Sequence, residues 1–96
     1  MTFRFHPEAH GEFLKAIDYY EDVASHLGPD FAFEVYAAIQ RAVANPKSWA
    51  MIDGEIRRSL VHRFPYGVLY AEENDGIFIL AVMHLRRNPD YWKNRI

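Results

Sequence analysis

The sequence predicts a single α+β domain, β-α-α-β-β-β with a short C-terminal helical turn, in which a helical hairpin packs on one face of a small antiparallel sheet. Three observations predict it. Ninety-six residues suffice for one core and are too few for two. Apolar residues recur at three- and four-residue spacing through the first half of the chain, and from Ile56 the spacing becomes that of strands. Helices grouped ahead of strands imply an antiparallel sheet covered by the helices on one side.

Phe3 and Phe5 flank Arg4 and read as a short strand of period two. Pro7 suits the first helical position, where a missing N–H costs nothing, and Glu8 and Glu12 complement the helix dipole in the early turns. Phe13, Leu14, Ile17, Tyr20, Ala24 and Leu27 form one apolar stripe. Gly28 is expected to supply a left-handed cap and Pro29 to end the helix there. A second helix follows at once, with Phe31, Val35, Ala38, Ile39, Ala42 and Val43 on one face and Asn45-Pro46 closing it. Lys47 to Glu55 reads as loop, with Trp49 and Met51 folded back onto the core. Ile56 to Phe64 reads as a strand stopped by Pro65, and Val68 to Ala71 belong to the next. Asp75-Gly76 between apolar runs marks a hairpin, and Ile77 to Leu85 suits a central strand. Asn88 and Pro89 open a last short helix through Tyr91, Trp92 and Lys93.

Composition narrows the function classes. Half the residues are hydrophobic and a quarter charged, which opposes disorder. The absence of cysteine excludes a disulfide scaffold, a thiolate zinc site and a cysteine nucleophile. No apolar run reaches bilayer length and the N-terminus lacks a signal-peptide pattern, so the expected location is the cytoplasm and no membrane partner is expected. The net charge of −2 is unevenly placed: four basic against nine acidic residues up to Ile56, then seven against four from Arg57 onward. Such polarity suggests a local anionic partner on the second half.

That half carries Arg57, Arg58 and Arg63 on one segment and Arg86-Arg87 at the exit of another. Guanidinium forks match phosphate and carboxylate oxygens. Strand alternation would put Arg57 and Arg63 on one face, converging with Arg86 or Arg87, and Arg58 on the other, with the helix-free side of the sheet partly open to receive an anion. The bland alternative is that these arginines keep a sheet edge soluble and pair with Glu72, Glu73 or Asp75. His84, ending an apolar strand before Arg86, and His62, beside Arg63, can exchange protons near neutrality; Tyr91 and Trp92 lie in the same basic tail. His6 and His10 lack a third ligand, so no metal is expected, and no cofactor motif is present.

Taken together these residues resemble the RelE/ParE superfamily of toxins from bacterial type II toxin–antitoxin systems, which includes plasmid stabilisation proteins. The resemblance is carried by Arg57-Arg58, Arg63-Phe64-Pro65-Tyr66, Val68, Tyr70, Ile79 to His84, Arg86-Arg87-Asn88-Pro89 and Trp92, with support from His6-Pro7-Glu8-Ala9 and Tyr19-Tyr20-Glu21. It implies a growth-inhibiting toxin neutralised by a cognate antitoxin. Two activities fall within it: ParE-like inhibition of DNA gyrase without hydrolysis, placed slightly ahead, and RelE-like cleavage of mRNA on the ribosome. A non-toxic interaction domain is the third reading. Under the ribonuclease reading the family's roles fall on His84 for proton transfer, on Arg57, Arg63 and Arg86 as phosphate clamps, and on Tyr91. The RelE-type lysines are absent, because this segment offers arginines alone. Target contact in either case is expected from Arg57, Arg58, Arg63, Arg86, Arg87 and Trp92. Antitoxin contact is expected on the helical hairpin, including Phe33.

Overall fold

The computed structural model describes residues 2–96. Strand β1 (Thr2–Phe5) leads into helices α1 (Pro7–Val23) and α2 (Leu27–Ala44). Strands β2 (Met51–Asp53), β3 (Ile56–Leu60), β4 (Tyr66–Glu73) and β5 (Gly76–His84) follow, and a 3-10 turn over Lys93–Arg95 ends the chain. The sheet order is β1-β5-β4-β3-β2, antiparallel except where β1 pairs parallel with β5. The α+β class and the hairpin of helices on one sheet face are as expected, with one strand more than the sequence announces. That strand, β2, lies inside the expected loop. All three of its residues are exposed, so no apolar alternation marks it, and its pairing with β3 across a bulge is what makes it a strand. Met51 accordingly stands out in solvent, whereas Trp49 packs against the core.

The junction between the helices differs from the expectation. The first helix stops at Val23, and His26, with φ of 71°, is the left-handed residue. Gly28 and Pro29 stand in the first turn of α2, where proline is tolerated because that N–H has no intrahelical partner. Gly28 is small because the helices cross there: a Cβ would lie 2.8 Å from the Ile17 carbonyl oxygen. The Glu21 carboxylate accepts from the backbone N–H groups of His26 and Gly28 at 3.2 and 3.1 Å, so α1 caps α2. At the start of α1, Nδ1 of His6 accepts from the Glu8 N–H.

One core fills the space between helices and sheet, with Phe13, Phe31, Val35, Ile39, Val68, Tyr70, Ile77 and Ile79 at its centre. Ser59 donates to the Ala38 carbonyl and Tyr70 to that of Pro46, tying the sheet to α2 and to the loop that follows it. The hairpin between β4 and β5 turns through Asn74 and Asp75, with Glu73 opposite Gly76. Gly76 is therefore a strand residue, and its smallness serves β1, because a Cβ there would overlap the Thr2 carbonyl.

One extra residue in β5, at Leu80, shifts its register against β4. Ile77, Ile79 and Val82 face the helices, whereas Leu80, Ala81 and Met83 face away. The far face is not the open surface expected. The tail after β5 crosses it, and Trp92, 1% exposed, closes a second cluster with Ile56, Leu69, Leu80, Ala81 and Met83. Trp92 and Tyr91 lie in turns ahead of the 3-10 segment; Asn88 Oδ1 accepts from the Asp90 N–H.

Candidate functional site

The parity argument for the arginines fails at Leu60. Strand β3 ends there, and Arg63 sits beyond it in a loop with φ of 70°. Its guanidinium pairs with Asp30 and Glu34, near the start of α2. Arg57 shares the helix-side face with Ser59, and its Nη1 donates to the carbonyls of Trp49 and Lys47 at 2.7 and 3.0 Å, past the end of α2. An 18-residue helix is about 27 Å long, so these two side chains lie near its opposite ends and do not converge. Arg57 is a strut for the 47–49 loop. Arg87 lies 3.6 Å above the Tyr91 ring and pairs with Glu12 at 3.5 Å. Side chains of Arg58 and Arg86 alone among the arginines have neither an ion pair nor a hydrogen bond among the described residues.

The centre of polar organisation is a residue that sequence reading treated as a dipole charge. Strand β1 stops opposite Ile79, which leaves the later half of β5 with an unpaired edge. Glu12, projecting from α1, accepts from the Val82 N–H at 3.1 Å. Arg95, from the chain end, donates to the Leu80 carbonyl at 3.0 Å and makes a two-pronged contact with Glu12 at 3.0 and 2.8 Å. Between them the two side chains offer that edge what a neighbouring strand would offer. Their side chains are 14% and 5% exposed. Hydrogen bonding to Glu12 raises the Arg95 pKa, which keeps it charged. Burial first, and Glu12 second, push the Tyr91 hydroxyl far above its ordinary range.

Around this pair lies a groove of about 520 Å³ lined by Glu8, Lys15, Tyr19, Tyr66, His84 and Arg87 among others. His84 packs edge-on against Tyr66, and its Nδ1 accepts from the Arg86 N–H at 3.1 Å. That leaves Nε2 as the nitrogen able to meet a ligand. Of the residues expected to act together, the fold thus brings His84 and Arg87 to one groove, with Tyr91 half-buried under Arg87. Arg57 and Arg63 are elsewhere, and His62 is exposed in the loop with Arg63. Trp92 is buried on the far face rather than presented to a target. The sequence does not signal this role for Glu12 and Arg95, because an acidic residue in the early turns of a helix and a basic one in a tail have ordinary explanations. Among the described residues, no group of three or more His, Asp or Glu could hold a metal ion, and no helix is long and apolar enough to cross a membrane.

The tyrosines make a pH prediction. Burial raises the Tyr70 hydroxyl to about 12, and Tyr66, Tyr20 and Tyr91 move in the same direction for the same leading cause. A folded chain therefore keeps protons that the unfolded chain releases from about pH 10. Stability is full below that pH and falls as pH rises toward 12, by about 2 kcal/mol from Tyr70 alone. Urea unfolding followed by circular dichroism from pH 8 to 12, alongside tyrosinate absorbance, checks this; a midpoint constant across that range would contradict it.

Neither a family model nor a curated protein sequence matches the chain. Among solved structures it is similar to a chain of a chromosomal ParDE TA system from P. aeruginosa. The two are 14% identical and superpose with a TM-score of 0.76, over 90% of this chain and 97% of that one. The fold that the RelE/ParE resemblance implies is the fold found.

Proposed function

We propose that this chain is the toxin of a type II toxin–antitoxin pair, inhibits bacterial growth, and is neutralised by a cognate antitoxin. The observation that carries the reading is the match, over nearly the full length of both chains, to a chain of a ParDE system. Within that reading we favour ParE-like inhibition of DNA gyrase without RNA cleavage. Its support is the dispersal of the guanidiniums and the carboxylates and carbonyls that occupy most of them. Arg63 is held by carboxylates and Arg57 by carbonyls, so two of the three expected phosphate clamps are already engaged, and Arg87 is held by Glu12. Arg58 and Arg86 remain as the target contacts among the expected set.

A second reading, a ribosome-dependent ribonuclease, is favoured by one observation. His84 lines a groove with Nε2 available beside Arg87, which is the placement a proton-transfer group needs. Under it His84 would act as base or acid, Arg86 as phosphate contact, and Tyr91 as an orienting group, with Arg57 and Arg63 required to leave their present partners. The antitoxin is proposed to cover the helical hairpin, where Phe33 and Tyr36 stand exposed.

Two assays separate the readings. Induced expression is expected to arrest growth, and purified chain to inhibit gyrase supercoiling, with no new mRNA ends by primer extension. New codon-linked ends with unaffected gyrase would establish the ribonuclease instead. Normal growth with silence in both assays would point to an interaction domain.

A further inference from the structure

We infer that the uncovered end of the far sheet face, built from Arg58, Leu60, Leu85 and Arg86, is where this chain grips its target, and that the target presents a protein surface of apolar side chains flanked by carboxylates. The inference rests on the toxin reading and assigns its contact surface. Gly67 sits at the middle of the patch. Leu60 stands directly opposite it on β3, so both occupy the same face, and Arg58 is the diagonal neighbour. A Cβ on Gly67 would meet the Arg58 stem at 2.9 Å and Leu85 at 3.5 Å, so both side chains lie over the glycine. Trp92 covers the neighbouring part of this face but leaves Leu60 and Leu85 43% and 40% exposed.

Charge decides the partner. Among the described residues, six of the eight arginines are tied to a carboxylate or a carbonyl, and the two that are not stand at this patch or next to it in sequence. The Arg58 side chain beside exposed leucines, with Arg86 next to Leu85 in sequence, matches a surface bearing both carboxylate and apolar groups. A nucleic acid fits less well: two cations give few phosphate contacts, the chain carries a net charge of −2, and leucines gain little against phosphate. The patch is also on the side of the sheet away from the helices, so target and antitoxin contacts separate.

The test compares growth inhibition, by titrated expression, of the native chain, Arg58→Glu/Arg86→Glu, Arg58→Lys/Arg86→Lys and Leu60→Ser/Leu85→Ser. Far-UV circular dichroism and size-exclusion chromatography accompany each. We expect the glutamate and serine pairs to need on the order of tenfold more protein for the same inhibition while folded and monomeric, and the lysine pair to keep most activity. Inhibition unchanged in all variants of a toxic chain would overturn the inference alone. A native chain without effect on growth would overturn the toxin reading and the inference with it. Loss in the glutamate pair but none in the serine pair would replace the protein target by a phosphate-bearing one. A native dimer that the substitutions dissociate would assign the patch to self-association. Should the serine pair fail to fold, Leu85→Asn, at the chain's exit from β5, reads the same contact.

Discussion

Replacing Glu12 with alanine is expected to cost about 3–5 kcal/mol of stability, a large share of what a domain of this size has. The cost does not measure the attraction between Glu12 and Arg95. Desolvating two charges offsets much of that attraction, and well-packed apolar residues of similar volume often do as well. What the substitution does is strand the remaining groups. Arg95, 5% exposed, would keep the Leu80 carbonyl, the Tyr91 ring and a 3.8 Å contact with the exposed Glu8 but lose its one buried carboxylate, Val82 would lose the acceptor for its N–H, and Arg87 would lose its ion pair. Because Arg95 ends the tail that carries Trp92, the same change should loosen the tail and move tryptophan emission to longer wavelength. A double variant, Glu12→Leu/Arg95→Met, should recover much of the loss. An unchanged denaturation midpoint for Glu12→Ala would show that the pair is idle, and full destabilisation of the double variant would assign the effect to shape.

Trp92→Ala is expected to be of similar size, about 3–5 kcal/mol, by removal of a large side chain from a packed site. Trp92 is the lid of the second apolar cluster, and no other large side chain of the tail is as deeply placed. Its indole N–H has no acceptor among the described residues, so burial of the ring is what holds it there. Without it Leu69, Leu80, Ala81 and Met83 would face solvent on a sheet face, and a hydrophobic dye should bind. A variant with native stability and no dye binding would mean that the far face tolerates water, contrary to the packing described.

How much of this was legible beforehand differs by element. The helices were, because Phe13, Ile17 and Tyr20, and then Phe31, Val35, Ile39 and Val43, repeat at a spacing only a helix brings to one side. Their junction was not. Gly28-Pro29 has the composition of a helix stop and serves as a helix start, and the difference lies in Ile17 and Glu21 of the preceding helix, which close on Gly28 from outside its local sequence. Likewise β5 was legible as a buried strand, but the bulge at Leu80 was invisible in a run of apolar residues where either face is acceptable.

For the site the balance is reversed. Residue types alone indicated a basic second half and a candidate histidine, and the basic residues are there. Which arginines are free is a matter of partners distant in sequence: Asp30 and Glu34 for Arg63, Glu12 for Arg87 and Arg95, the backbone of residues 47 and 49 for Arg57. By itself the sequence determined the layer arrangement, the two helices and the main strands, because hydrophobic periodicity is a local signal that burial must obey. Tertiary structure alone decided that the tail closes the far face, that Glu12 and Arg95 cap the β5 edge, and that Arg58 and Arg86 stay unpaired among the described residues. Charge neutralisation depends on through-space distance, which no spacing along the chain encodes until the chain has folded.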